Sequence, residues 1–264
     1  MVDADSLCYS SLKEEDGEEV VAFMAEHFYP REPLWSMEGL PTEHSPQSTG
    51  LHMTYEDNKE WIHGSVQEWA RSGVSVVARD PATGRLGGTL LGTILTRQQA
   101  NTYQQALNSP KTKVCEDSAH VLSVLEAAVD FFARYQCVDR ILELAMITVS
   151  EQMGGRGVGR QLVQFSPRAA LVTGLRRVPW FPQESEQRGR HLGCQLATAQ
   201  ATAVPSQRLL YRLGYESLYT MDYTTFEIAG DRVFDVDKML GTPSAKVMAR
   251  LITPDQDVSD PALE

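Results

Sequence analysis

The sequence predicts an α/β fold in which one mixed sheet is covered by helices on both faces, and three observations carry that reading. An apolar, branched run from Leu142 to Val149 enters four glycines within six residues, Gly154, Gly155, Gly157 and Gly159, and then a segment with helical spacing. Ahead of it, apolar patterns succeed one another in the order strand, helix, helix, two strands, helix. From Cys194 onward, strand and helix patterns alternate again. A mixed sheet with helices on both faces satisfies this order most economically.

Leu7 to Leu12 reads as a short first strand. Asp16 is placed to cap a helix whose apolar positions Val20, Val21, Phe23, Met24 and Phe28 recur at three and four residues and which ends before Pro30. In Tyr29-Pro30-Arg31-Glu32-Pro33-Leu34 the two prolines fix φ and restrict their neighbours, so Glu32 is presented from a stiff turn. An exposed loop acid is the commoner fate of a Glu, while a rigidly held one is what a general base needs. Residues 36–53 are polar and rich in Gly, Pro and Ser, and read as a loop near any site built on Glu32. Tyr55 to Arg71 predicts a second helix with Trp61, Ile62, Val66 and Trp69 on one face. Val74 to Arg79 and Leu86 to Thr96 read as strands joined by a hairpin turn over Asp80-Pro81-Ala82-Thr83-Gly84. Gln98 to Glu116 is polar and carries no pattern. Ser118 opens an amphipathic helix whose wide apolar face comprises Val121, Leu122, Val124, Leu125, Ala128, Val129, Phe131 and Phe132.

Past the glycines, Arg160 to Phe165 begins a helix that Ser166-Pro167 stops early. Residues 166–190 mix prolines and arginines without a steady period, and their removal would join helix to strand by an ordinary connection. They read as an irregular insert that leaves the fold as a surface loop. Cys194 to Ala199 is an expected strand, Ser206 to Leu213 a helix ended by Gly214, and Tyr215 to Tyr223 a further strand. Ala229-Gly230-Asp231 marks a hairpin turn, and the acidic, proline-bearing tail over 252–264 reads as loose. The whole of 1–264 is expected to form a single domain.

Composition narrows the partners. A formal net charge of -11 argues against a nucleic-acid backbone and is compatible with a cationic small molecule. Cys8, Cys115, Cys137 and Cys194 form no C-x-x-C pair, which suggests neither a zinc site nor a disulfide framework, so no metal is expected. The first residues lack a basic n-region and an apolar h-region, and no apolar run is long enough to span a membrane. A cytoplasmic monomer without a membrane partner is the expectation.

The glycine loop reads as a phosphate cradle, because glycines let backbone come close to a ligand and the first N–H groups of a helix lack internal partners. Arg160 and Gln161 stand where a Lys and a hydroxyl would follow, which argues against a P-loop. A G-x-G-x-x-G fingerprint at the strand end is absent as well. Alternating Gly155, Gly157 and Gly159 with Arg156 between them fit a pyrophosphate wrapped by backbone N–H groups, which suits coenzyme A as well as any nucleotide. A glycine-rich turn that binds nothing is the alternative.

Together, the loop and the last third of the chain resemble the GNAT superfamily of acetyl-coenzyme A-dependent N-acyltransferases. That superfamily carries Q/R-x-x-G-x-G/A between its fourth strand and the next helix, and a later segment ending in L-G-F or L-G-Y. Gly157 and Gly159 fill the small positions, and Leu210-Tyr211-Arg212-Leu213-Gly214-Tyr215 lies downstream. In this register Gly154 occupies the Q/R position, and Gln152 matches only if the frame slips by two. Within the superfamily the chain resembles the arthropod arylalkylamine (dopamine-type) N-acetyltransferases. His27-Phe28-Tyr29-Pro30-Arg31-Glu32-Pro33-Leu34 is similar to their F-x-x-x-E-P-L segment, and Thr202 to Leu210 to the stretch bearing their paired serines. Lys246-Val247-Met248-Ala249-Arg250 looks like their closing helix, with Thr242 where a His is often found.

This resemblance implies a mostly antiparallel central sheet splayed after its fourth strand, acetyl-CoA as co-substrate, and a small-molecule amine as acceptor. It implies Glu32 as general base, assisted by Ser206 and by Thr202, where a Thr replaces the first Ser. An alkylammonium with a pKa of about 10 must lose its proton before it attacks a thioester. A backbone N–H near Ile147 or Thr148 would stabilise the oxyanion, and Ser206, Thr202 or Tyr211 would supply a donor to the departing thiolate. Acetyl-CoA would lie along Ile147, Thr148 and Val149 and in the cradle of Gly154, Gly155, Arg156, Gly157, Val158, Gly159 and Arg160. Plainer roles stand beside these: Ser206 as a helix N-cap, Tyr211 packed on the core, Arg156 in solvent. Tyr29, Trp35, Tyr219 and Tyr223 would suit an arylalkylamine such as dopamine, serotonin, tyramine or octopamine by stacking. A polyamine, an amino acid or a protein N-terminus is the alternative acceptor, and a non-catalytic coenzyme A-binding module disabled by the insert is the alternative outside enzymes.

Overall fold

The computed structural model describes residues 6–34, 55–99, 113–164, 193–239 and 241–252. The expected loop over 36–53, the insert over 166–190, Trp35 and the tail beyond Ile252 lie outside them. Among the described residues nine strands follow in chain order: β1 (Cys8–Ser11), β2 (Val76–Arg79), β3 (Leu86–Thr96), β4 (Arg140–Val149), β5 (Leu196–Ala201), β6 (Glu216–Asp222), β7 (Glu227–Ile228), β8 (Asp231–Arg232) and β9 (Ser244–Leu251). The helices are α1 (Gly17–His27), α2 (Tyr55–Ser72), α3 (Lys113–Ala127), α4 (Phe131–Arg134), α5 (Val158–Gln164) and α6 (Val204–Arg212). Seven strands form one sheet in the order β1-β2-β3-β4-β5-β9-β6, and β7 pairs with β8. Neighbours in the large sheet are antiparallel except β4 and β5, which are parallel.

The two faces of the sheet bury different side chains. Val20, Val21 and Met24 of α1, Ile62 and Val66 of α2 and Val121 and Leu125 of α3 share one cluster with Val77, Leu91 and Met146. Val158, Leu162 and Val163 of α5 and Leu210 of α6 share the other with Leu90, Leu142, Leu144 and Met248. The packing of α5 requires small residues beneath it: a Cβ on Gly88 would stand 3.0 Å from both Leu162 and Val158. Among the described residues no helix is long and apolar enough to cross a membrane.

The feature that shapes the site is a bulge in the middle of β4. Leu91 pairs with Met146 and Gly92 with Leu144, so Ala145 is an extra residue on β4. An extra residue reverses the in-and-out alternation. Leu142 and Leu144 face the α5 side before the bulge, and Ile147 and Val149 face it afterwards. Pairing with β5 covers only Ile141 to Leu144, whereas pairing with β3 continues to Val149. The strands thus part at the bulge, giving the splay the resemblance implied.

Four local expectations change. Asp16 sits at the N-cap position but makes no capping bond; its carboxylate accepts from Lys13 N–H at 3.0 Å and from Arg79 at 2.9 Å. The helix expected to run to Phe132 ends at Ala127, and α4 starts afresh because the Asp130 carboxylate accepts the Ala133 N–H at 2.9 Å. Trp61 is 42% exposed, since its neighbour Ile62 points into the core. Lys246 to Arg250 lies within β9, between β5 and β6. Ala245 and Val247 face one cluster and Met248 the other, a two-sided use that a strand allows.

Candidate active site

Glu32 stands where α1 has ended and a single 3-10 turn, Tyr29–Arg31, has turned the chain back toward the sheet. Pro30 opens that turn, and Glu32 itself is extended. Its side chain is 5% exposed. Burial pushes the carboxyl up to about 7, opposed by the Leu34 N–H donating to Oε1 at 3.0 Å and by the nearby Thr202 side chain. No Lys or Arg lies within salt-bridge distance of it among the described residues. The acid read from the sequence as held in a stiff turn stands just past a 3-10 turn, and the structure adds a burial that raises its affinity for a proton.

Arg31, next to it, fastens the turn. Its Nε donates to His27 C=O at 2.7 Å and its Nη2 to Val149 C=O at 2.6 Å. One side chain thereby ties the end of α1 to the end of β4, across the mouth of the splay. Sequence reading passed over Arg31, although it lies inside the segment that carried the resemblance, because a contact across 118 positions leaves no periodic trace.

The direction of the β4 amides follows from one bond. Ser150 N–H donates to Gly87 C=O at 3.0 Å, and alternation then turns the Thr148 backbone toward β3 and the Ile147 and Val149 backbones toward the splay. The Arg31 bond to Val149 C=O agrees with that direction. Of the two residues expected to offer an oxyanion donor, Ile147 has its N–H in the splay and Thr148 does not.

The glycine loop leaves β4 through a 3-10 turn, Glu151–Met153, and reaches α5 at Val158. Gly155 and Gly157 take φ of +73° and +84°, conformations that side-chain-bearing residues adopt only under strain. Gly159 serves packing, since a Cβ there would meet Leu209 of α6 at 3.3 Å. Gln161 N–H donates to Gly157 C=O at 3.0 Å and is the first of the helix to find a backbone acceptor, so the N–H groups of Gly157, Val158, Gly159 and Arg160 face outward at this end. The Arg160 guanidinium turns along the helix to Gln164 at 2.9 Å, and Arg156 is half-buried.

Across the splay, α6 carries the other expected residues. Its N-cap is Ala203, so Ser206 is not the cap; the Ser206 hydroxyl donates back to Ala203 C=O at 2.8 Å. The cap function falls to Thr242, buried, whose hydroxyl accepts the Val204 N–H at 3.3 Å. Gln207, also buried, donates to Ala201 C=O at 3.1 Å and Ser244 C=O at 2.7 Å and pins the helix to β5 and β9. At the other end Gly214 takes φ +81°, with Tyr215 N–H on Leu210 C=O and Gly214 N–H on Tyr211 C=O. Tyr211 is 48% exposed and does not pack in the core. Glu32 and Thr202 come together, with Ser206 one helical turn beyond. Tyr223 donates to Thr202 C=O at 3.0 Å and helps hold that edge. Tyr223 and Tyr29 are fully buried members of the core, which removes them as stacking surfaces for an aromatic ring. Tyr219 remains half-buried.

No group of three or more His, Cys, Asp or Glu among the described residues is arranged to hold a metal ion. A central strand that bulges and splays from its parallel neighbour, followed by a glycine loop and a helix, defines the GNAT fold. The chain is similar to arylalkylamine N-acetyltransferase 2 from Aedes aegypti, with a TM-score of 0.72 and 19% identity over 94% of this chain and 99% of that one. It is also similar to a polyamine N-acetyltransferase of Drosophila melanogaster that forms N-acetylagmatine, with a TM-score of 0.67 and 23% identity over 93% and 99%. A mosquito arylalkylamine N-acetyltransferase, like 5b, gives 0.68 and 18% over 93% and 100%. No family model matches the chain, and a search of curated proteins finds no match.

Proposed function

We propose that this chain transfers the acetyl group of acetyl-CoA to the primary amine of a small molecule, acting as a cytoplasmic monomer through a single domain. The observation that carries the reading is Glu32: a buried carboxyl, free of any cationic partner among the described residues, beside a splay into which Ile147 offers its N–H. The loop fits the pyrophosphate of the coenzyme, since Gly155 stands in open space and outward N–H groups follow it. Bound there, acetyl-CoA supplies the thioester that the amine attacks.

The residues divide the work. Glu32 takes the ammonium proton, directly or through a water, and is matched to that task by an affinity for protons near the working pH. Ile147 N–H meets the negative charge that develops on the carbonyl oxygen. Ser206 or Thr202 gives a proton to the sulfur as the carbon–sulfur bond breaks. For Ser206 this requires its hydroxyl to rotate from Ala203 C=O. Tyr211, exposed on the same helix, is a third donor.

An arylalkylamine acceptor is supported by the likeness of the Glu32 segment and the Ser206 segment to enzymes of that kind. An aliphatic polyamine is the second reading, and a cavity bearing Glu126 and Glu143 favours it. Thiol release from acetyl-CoA, measured with tyramine, dopamine and putrescine in turn, tests both. Release with any of them supports the reading, and calorimetric binding of acetyl-CoA without release on any amine would reduce the chain to a coenzyme-binding module.

A further inference from the structure

Pairing of β4 with β5 ends at Leu144 and Ala199, and the seat that β5 leaves open beside Val149 is taken by a side chain. Arg31 reaches it from the turn before Glu32, and its Nη2 donates to Val149 C=O at 2.6 Å. On its other side Nε donates to His27 C=O at 2.7 Å, and Nη2 shares that acceptor. A guanidinium is planar and holds its donors in a fixed fork. With the Nε edge on His27 and the remaining Nη2 proton on Val149, Nη1 is left on the Val149 side, turned away from His27.

Nη1 meets no acceptor among the described residues. Arg31 is nonetheless not a fully solvated arginine: burial lowers its proton affinity, opposed by the charge of Glu151 at the entrance to the glycine loop. A partly desolvated guanidinium with both Nη1 protons unspent has strong reason to take an acceptor. Its place says which one. Val149 lies between the glycine cradle and Ile147, about 7 Å along the strand edge from Ile147. A bare strand edge would offer an acceptor at Val149 C=O, but that oxygen is committed to Arg31. Anything lying along this edge therefore meets a donor there instead.

We infer that Arg31 is a coenzyme-binding residue, whose Nη1 donates to an amide carbonyl of the pantetheine arm where the arm passes Val149. The arm carries secondary amides, so it has carbonyl oxygens to offer. One side chain then both grips the donor substrate and fastens the turn that presents Glu32. The inference rests on the reading that acetyl-CoA lies along β4.

Coenzyme A and adenosine 3′,5′-bisphosphate share a phosphorylated nucleoside, and only the first carries the pantetheine arm. Each is titrated calorimetrically into the full chain, wild type and Arg31→Met. The variant is expected to lose about tenfold in affinity for coenzyme A and to hold the bisphosphate as the wild type does. An unchanged affinity for coenzyme A beside a lowered kcat would leave Arg31 as a fastener of the turn alone and overturn the inference. A like loss for both ligands would overturn it too, since the arm would then contribute nothing through Arg31. Arg31→Lys, which keeps the charge and can keep the bond to Val149, is judged by the same criterion should Arg31→Met bind neither ligand. A wild type that binds neither ligand sinks the acetyl-CoA reading itself, whereas a failure confined to Arg31 leaves that reading standing, so the two failures are distinct.

Discussion

At the start of α1, Asp16 and Glu19 meet Arg79 at 2.9 and 2.7 Å, whereas just past its far end Glu32 is buried with no cationic partner among the described residues. The first two acids are neutralised where they stand, and their bonds fasten α1 to β2. Glu32 is instead buried, and that burial raises its proton affinity against the lowering effect of the Leu34 N–H and the Thr202 side chain. Asp16 and Glu19 are paired and hold the fold, whereas Glu32, kept from a cation among the described residues, keeps its proton up to about neutral pH.

The comparison breaks most visibly at Glu32. Glu32→Gln keeps size and hydrogen bonding but removes the proton acceptor, and kcat/KM for thiol release is expected to fall by about 10²–10⁴-fold. Asp16→Asn, at the paired site, should leave that rate where it was. Arg31→Met cuts the bonds to His27 and Val149 and lets the Glu32 turn shift against the splay. A loss of about ten- to a hundredfold in kcat/KM follows if position is what Arg31 supplies. A substitution without effect on rate would show that Pro30 and Pro33 hold the turn unaided.

Stability tells the two regions apart by sign. Glu32 is raised in the folded chain, so its neutral form is favoured by folding: its contribution is fully present below the ordinary carboxyl range and is lost as pH rises through about 7. Glu32→Gln should therefore melt higher than the wild type at pH 8, and the gap should shrink toward pH 5. Melting curves at the two pH values read this directly. Asp16→Asn, which removes a partner of Arg79, should lower the melting temperature at both. The smallest effect concerns α6. Thr242→Val leaves Val204 N–H without its acceptor and should cost about 1 kcal/mol in denaturant unfolding.

Much of this was legible in the sequence because it was periodic or local. The strands up to β4, the glycine loop, the hairpin turn at Ala229 and Gly230, and the stop at Gly214 all announce themselves within a few residues. The Ala145 bulge did not, because Leu142 to Val149 is apolar on both faces and one extra residue only shifts its parity. The break between α3 and α4 was hidden by an apolar stripe that continues across it, and Asp130 outweighs that stripe by capping a new helix. Lys246 to Arg250 was read as a helix by resemblance alone, since five residues do not separate a helix from a strand, and pairing with both β5 and β6 makes it a strand. At the site, Glu32 and Thr202 could be placed from their segments. Arg31, Thr242, Gln207 and the facing Glu126 and Glu143 could not, since each matters through a partner distant in the chain.

The most direct test of Glu32 as the proton acceptor is the pH dependence of kcat/KM for thiol release, followed from about pH 5 to pH 9 in the wild type and in Glu32→Gln. The wild-type rate should climb with pH and bend near the value of about 7 held by Glu32, and the variant should lose that bend along with most of its rate. A bend that survives in Glu32→Gln would assign the proton to another group and contradict the account.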